Sequence, residues 1–419
     1  MIEKTTLENG IRIVTENVPA VHSVTIGIWV ESGSRHEHQA QGGISHFVEH
    51  LLFKGTSRRS ALEIAREIDS VGGVLNAFTS REYCCFYAKV LARHLPLAID
   101  LLADSLQSSI FDLDEIEKER RVILQEISMV EDTPDDLVHD LFSQTFWGNH
   151  PLGRPVLGSR ESVKNMSRDD FLAHLEGFLV GGNILVCAAG DLNHDHVVDR
   201  IARVFGQMAA GARKQVHSHP DYRPSLSFTR RDLEQVHICL GTRALPQNHP
   251  NRFSAYILNT ILGGSMSSRL FQTIREEQGL AYSIYSYLNS HSDAGALVLY
   301  TATSTENAPL VVRMMLKEMQ RFKVEPVSRA ELKAAKDQLK GHLLLSLEST
   351  DNRMTRLSKN EIYLGRQPSL KQVLGEFEKV TAESIQRLAH FLFQDDYLNL
   401  QLLGQIEEKQ FPLLDLTLG

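Results

Sequence analysis

The sequence predicts an α+β protein of two duplicated domains, each a mixed, mostly antiparallel β-sheet packed with helices. Three observations carry that prediction. The same order of amphipathic elements occurs twice, a compositional break falls near the middle, and 419 residues with 42% hydrophobic content can bury more than one core. The break is "AAGARKQVHSHPDYRPSLS", Ala209 to Ser227, which carries basic residues, two prolines and a glycine but no sustained apolar period. The expected layout is therefore a first domain over 1–208, a linker over 209–227 and a second domain over 228–419.

Taken in order, each half opens on an alternating strand, "SVTIGIWVESGS" in the first and "QVHICLGTRAL" in the second. A helix follows in both, "HFVEHLLFKGT" and "RFSAYILNTILGG". Next an amphipathic helix ends on glycine and gives way to strands, "LEIAREIDSVGGVLNAFT" against "RLFQTIREEQGLAYSIYSY". "HLPLAIDLLADSLQSSIF" then matches "NAPLVVRMMLKEMQRFKV", and "LDEIEKERRVILQEISMV" matches "SRAELKAAKDQLKGHLLL". The halves close on "RDDFLAHLEGFLVGGNILVCAAGDL" and "AESIQRLAHFLFQDDYLNLQLLGQI". Such a period is too long for a solenoid repeat, so the pattern is a duplicated domain.

Composition removes several classes of function. A formal charge of −8 and a pI near 6.1 argue against nucleic acid as a partner, and no apolar run is long enough for membrane insertion. The opening "MIEKTTLENG" lacks the apolar core of a signal peptide, and a cytoplasmic location is expected. Cys84, Cys85, Cys187 and Cys239 lie in strand-like segments without metal-site spacing, and read as core residues in a reducing compartment. The glycines of "LGGSMSSRLF" lack the Gly-Lys-Ser/Thr ending of a phosphate-binding loop.

The chemistry concentrates in "ISHFVEHLLFKGT", where His46, Glu49 and His50 interrupt an otherwise apolar helix. Residues i, i+3 and i+4 share a helix face, so the three side chains point the same way. Two imidazoles one turn apart can bind a single Zn²⁺, while Glu49, one residue out of step, is better placed beside a metal-held water. Duplication supplies a control, because the second copy reads "RFSAYIL" and carries none of the three. Packing alone does not explain them.

A catalytic zinc takes a third protein ligand, and Glu126 is the best candidate. Ile116, Glu119, Ile123, Glu126 and Val130 recur on one helix face, whereas Leu332, Ala335, Leu339, His342 and Ser346 stand at the matching places of the second copy. A buried carboxylate without a cation would cost several kcal/mol or stay protonated. Glu119 fits a supporting carboxylate that orients a ligating histidine. A salt bridge to Arg120 or Arg121 is the competing reading for these acids.

"GGISHFVEHLLFKGT", Glu126, "GGVLNAFTSREY", "NHPLGRPVLG" and "RLFQTIREEQGLAYS" together resemble the pitrilysin family of inverted-motif zinc peptidases, above all its mitochondrial-processing-peptidase-like branch. The resemblance spans nearly the whole chain. It implies one Zn²⁺ per chain held by His46, His50 and Glu126, with Glu49 as general base and Glu119 in support. It further implies that a peptide pairs in extended form along the strand at Asn76 and Ala77, and that Arg275 and Tyr282 contact substrate near the cleaved bond. The expected activity is endopeptidase hydrolysis of extended or unfolded peptides by metal-activated water. The alternative is a noncatalytic partner or scaffold subunit of a processing-peptidase-like complex. Since the family supplies the face opposite the zinc from a later domain or a second chain, a homodimer is expected, each site completed by Arg275 and Tyr282 of the partner.

Overall fold

The computed structural model describes residues 1–211, 219–406 and 417–418. The linker expected over 209–227 therefore lies partly outside the described residues, and its last residues already belong to a strand that begins at Ser225. The first half of the chain runs β1 (Ile2–Thr6), β2 (Arg12–Asn17), β3 (Ser23–Val30), α1 (Ile44–Leu51), α2 (Ala61–Ser70), β4 (Val74–Thr79) and β5 (Cys84–Leu91). It continues through α3 (Leu95–Ser108), α4 (Leu113–Asp132), α5 (Pro134–Trp147), α6 (Arg160–Asn165), α7 (Arg168–Phe178), β6 (Ile184–Gly190) and α8 (His194–Phe205). The second half runs β7 (Ser225–Arg230), β8 (Val236–Arg243), α9 (Arg252–Gly263), β9 (Ile284–Ser290), β10 (Gly295–Thr303) and α10 (Ala308–Val324). It ends with α11 (Arg329–Ser346), α12 (Thr350–Leu364), α13 (Leu370–Lys379), α14 (Ala382–Leu392) and β11 (Asn399–Gly404).

Among the described residues, six strands form one sheet in the order β1-β2-β6-β3-β5-β4 and five form another in the order β7-β11-β8-β10-β9. Matching β7 to β2, β11 to β6, β8 to β3, β10 to β5 and β9 to β4 makes the second order a copy of the first without its edge strand β1. In both sheets the pairings are antiparallel except one, β2 with β6 and β7 with β11, which run parallel. The duplication is real, and the fold class is that of two like α+β domains.

The chain forms two compact units, and neither is continuous in sequence. One comprises Met1–Met129, Arg154–His217 and Leu345–Gln367; the other comprises Val130–Gly153, Ser218–Leu344 and Pro368–Gly419. The equivalent helices α5 and α12 are thus exchanged. In the first unit, α12 covers the sheet face made by Val14, Trp29, Cys85, Leu185 and Cys187, inserting Met354 and Leu357. Lys89 to Asp351 at 2.7 Å and Tyr363 to Glu82 at 2.9 Å fasten it. In the second unit, Val138, Phe142 and Phe146 of α5 cover Cys239, Val298, Tyr300 and Leu403. A helix packed on each face explains why β3 is buried along almost its whole length rather than at alternate residues.

One element departs from expectation. The segment read as an amphipathic helix before Gly279 is a π-helix over Phe271–Glu276, with the Glu277 N–H donating to the Gln272 carbonyl at 2.9 Å. Its wider turn leaves Arg275 between two rings, 4.5 Å from the centre of Phe271 and 5.2 Å from that of Tyr282.

Candidate metal centre and active site

Helix α1 buries Ile44, Phe47, Val48 and Leu51 and leaves His46, Glu49 and His50 on its half-exposed face. Its start is unusual, because the N-cap is Gly43 at φ +92° and no capping side chain comes from that residue. A Cβ at Gly43 would lie 2.5 Å from the Leu157 carbonyl oxygen, so the "NHPLGRPVLG" segment closes against the helix start only if glycine stands there. Glu37 replaces the missing cap, its two carboxylate oxygens accepting the Gly43 N–H at 2.7 Å and the Ser45 N–H at 2.9 Å. Burial pushes the Glu37 carboxyl up to about 7, against the pull of those two N–H groups.

Helix α4 brings its carboxylates to the same place. Glu126 Oε1 lies 3.7 Å from His50 Nε2, and Glu126 Oε2 lies 3.8 Å from His46 Nε2. The three donor atoms fall within 4.8 Å of one another. Burial, helped by the neighbouring His50, lowers the His46 pKa to about 4, so the imidazole is neutral near neutral pH and its contact with Glu126 is not an ion pair. Glu126 Oε2 is buried without a hydrogen-bond partner among the described residues. Two imidazole nitrogens and a carboxylate oxygen at such separations suit one ion about 2.0–2.2 Å from each donor, so the residues fit zinc.

Glu119 meets His50 at the other ring nitrogen from Glu126. It accepts from His50 Nδ1 at 2.9 Å and pairs with Lys54 Nζ at 2.6 Å. Burial alone would raise its pKa, but hydrogen bonds from Lys54 and His50 outweigh that and hold it below the usual carboxylate range. The competing salt bridge is not formed by Arg120, which donates to the Val163 and Met166 carbonyl oxygens and pairs with Glu117. The apolar-stripe reading of Glu126 needs correction, since its side chain is 34% exposed. The buried positions of α4 are Ile116, Glu119, Ile123 and Ile127, because a strict 3-4-3-4 spacing drifts against the helical period of 3.6 and leaves Glu126 at the margin.

Glu49 takes no part in the three-donor group. Its Oε2 accepts the Thr79 hydroxyl at 2.5 Å, and burial raises its pKa above the ordinary carboxylate value. Thr79 is the last residue of β4, the edge strand of its sheet. On that strand Asn76 is exposed and its Oδ1 accepts the Ala77 N–H at 2.8 Å. Arg275 and Tyr282 belong to the other unit, where Tyr282 precedes β9 and is 83% exposed. Before α1, His36 ends one 3₁₀ turn and His38 caps the start of the next, each ring accepting a backbone N–H, from Gly33 and Ala40.

Comparison with known proteins bears on this constellation. Residues 12–160 match the family model described as insulinase (peptidase family M16), and residues 165–339 match the one described as the peptidase M16 inactive domain. An uncharacterized zinc protease of Bacillus subtilis, YmxG, is 42% identical over 95% of this chain and 97% of its own length. The chain belongs to peptidase family M16, the pitrilysin family. A second relative, the uncharacterized zinc protease Rv2782c of Mycobacterium tuberculosis, is 41% identical over 94% of this chain and 91% of its own length. Among solved structures, a protease from Helicobacter pylori superposes with a TM-score of 0.89 at 21% identity, covering 96% of this chain and 99% of that one. A peptidase M16 inactive domain from Pseudomonas fluorescens gives 0.91 at 17% identity over 97% and 98%. These two likenesses concern the fold.

Within the M16 frame, His46, Glu49, His50, Glu119 and Glu126 all lie in the first matched region, and Arg275 and Tyr282 in the second. Sequence reasoning missed Glu37, Lys54 and Thr79. Lys54 had a signal, standing one helical turn after His50 and beyond the end of α1. Glu37 and Thr79 had none, because a loop acid and a strand-end threonine are ordinary until the fold places them.

Proposed function

We propose that this chain is a zinc endopeptidase that hydrolyses extended or unfolded peptides, with His46, His50 and Glu126 holding one Zn²⁺ and Glu49 serving as general base. One observation carries the reading: three donors of the right chemistry meet within 4.8 Å, and the remaining carboxylate of the motif stays outside that group, bonded to Thr79. When bound, zinc supplies Lewis acidity, lowering the pKa of water towards about 7 and polarising a carbonyl. Glu49 takes a proton from the attacking water and returns one to the departing amine, and its raised pKa suits it to both steps. Glu119 fixes the tautomer and orientation of His50 by accepting from Nδ1.

The open edge of β4 favours a substrate that adds as one more strand, held by main-chain hydrogen bonds. Asn76 Oδ1 now occupies the Ala77 N–H, and an arriving peptide carbonyl would take its place. Arg275 and the exposed Tyr282 form a ready pair of donors on the second unit, and we place them against the substrate of a partner chain in a homodimer.

A mixed peptide library incubated with the protein, with the protein plus chelator, and with chelated protein given back zinc, tests the activity by mass spectrometry of the products. Cleavage is expected in the first and third samples alone; metal-independent cleavage, or none at all, would reject the reading. The dimer is tested by mixing separately purified Glu49→Gln and Tyr282→Phe variants, both expected to be inactive. Activity should return on subunit exchange, since one composite site would then hold an intact Glu49 and an intact Tyr282. Verified exchange without recovery defeats the trans arrangement.

A further inference from the structure

Thr79 stands where the proposed base and the proposed substrate strand meet. It closes β4, paired across the ladder with Cys84, and alternation places Leu75, Ala77 and Thr79 on one face and Val74, Asn76 and Phe78 on the other. Its hydroxyl has a single proton and two possible acceptors, Glu49 Oε2 at 2.5 Å and Cys84 Sγ at 3.5 Å. A carboxylate at the shorter distance is much the stronger acceptor, so the proton goes to Glu49. Cys84 has its own outlet, its thiol donating to the Ser32 carbonyl at 3.2 Å.

The consequence is an asymmetric carboxylate. Glu49 Oε2 is tied down, while Oε1 accepts no hydrogen bond from the described residues and is left for proton transfer. Threonine is well suited to this task, because β-branching restricts χ1 and the strand fixes its backbone. A glutamate on a helix face has three rotatable bonds, and without a donor its carboxylate would sample several orientations, only some of them able to accept a proton from an attacking water.

We infer that Thr79 is a positioning residue for Glu49, fixing one carboxylate oxygen so that the other faces the reacting water. The strand that would align the peptide thereby also aligns the base, since Asn76, Ala77 and Thr79 belong to one six-residue element. The inference rests on the peptidase reading. It adds a role for a residue outside the three proposed zinc ligands.

Thr79→Val is the decisive variant, because it keeps shape and β-branching and removes only the hydroxyl. Its kcat should fall about 10- to 100-fold, with KM within about twofold of wild type and zinc content unchanged. Thr79→Ser, which restores the donor, should recover kcat to within about threefold of wild type. In a Glu49→Gln background, adding Thr79→Val should cost nothing further in residual turnover, and the affinity for an uncleaved peptide should not change. If valine is not tolerated in the fold, Thr79→Ala carries the same expectation for kcat and zinc. A Thr79→Val enzyme with wild-type kcat would overturn the inference, as would a Thr79→Ser enzyme as slow as Thr79→Val, or loss of zinc from either. A wild-type protein that holds zinc and cleaves no peptide takes down the peptidase reading and this inference together, whereas an active wild type with an indifferent Thr79→Val removes only the inference.

Discussion

In the first unit α1 buries Ile44, Phe47, Val48 and Leu51 and presents His46, Glu49 and His50; in the second, α9 buries Phe253, Ala255, Ile257, Leu258 and Ile261 and presents no such set. The contrast recurs in the next pair. Position 119 of α4 and position 335 of α11 are equivalent and equally buried, at 5% and 4% exposure, yet one is glutamate and the other alanine. Alanine is what packing there needs. Glutamate costs several kcal/mol of desolvation unless it is paired, and the first unit offsets that with Lys54 and His50. Since five strands follow the same order in both sheets, these differences lie outside the requirements of the shared fold and mark where chemistry was added.

The contrast breaks if the titratable groups of α1 and α4 prove dispensable. Glu49→Gln should retain zinc and lose about 10²- to 10⁴-fold in turnover, as removal of a general base outside the metal ligands requires. Glu126→Gln should lose zinc itself, which metal analysis of the purified variants reads directly. Glu119→Gln should bind zinc about 10- to 100-fold more weakly in competition with a chelator, because the charge that orients His50 is gone. His342, the second-unit counterpart of Glu126, is the control, and His342→Gln should leave zinc content untouched. Zinc retained at full occupancy in Glu126→Gln would remove that residue from the ligand set.

How much of this was legible depended on whether a feature is local. Strand alternation, glycine-terminated helices and the spacing of His46, Glu49 and His50 are properties of short segments, and the duplication follows from reading them twice. The exchange of α5 and α12 is not such a property. An amphipathic helix declares that it has an apolar face, and nothing in its own sequence says which sheet will cover that face. Glu126 shows the same limit at finer scale, since its place at the edge of the stripe depends on how the helical period drifts over three turns. Thr79 and Glu37 act through partners 30 and 6 or 8 residues away, contacts that arise only once β4, α1 and the preceding loop are assembled.

The exchanged helices allow the two units to be compared on stability alone. Each central strand carries one glycine facing its covering helix, Gly27 of β3 under Met354 and Gly241 of β8 under Phe142, although the two stand at different positions along their strands. A methyl group at Gly27 would lie 2.8 Å from Met354 Sδ and 2.9 Å from Trp29 Nε1, disturbing the 3.2 Å contact between indole and sulfur. Methionine is flexible and can withdraw, so Gly27→Ala should cost about 1 kcal/mol. At Gly241 the methyl would run into the Phe142 ring, with the Leu297 carbonyl oxygen 3.2 Å away on another side. A ring fully buried against its neighbours has no comparable escape, so Gly241→Ala should cost about 2–3 kcal/mol. Because the chain has two units, a single unfolding midpoint would mix them, and native-state hydrogen exchange of the β3 and β8 amides is the better measure. Combining Gly241→Ala with Phe142→Leu should recover part of the loss, since a smaller side chain vacates the space the methyl needs. Equal costs at the two glycines, or no recovery in the double variant, would show that the covering helices shift as rigid bodies and that the side chain beneath them does not set the price.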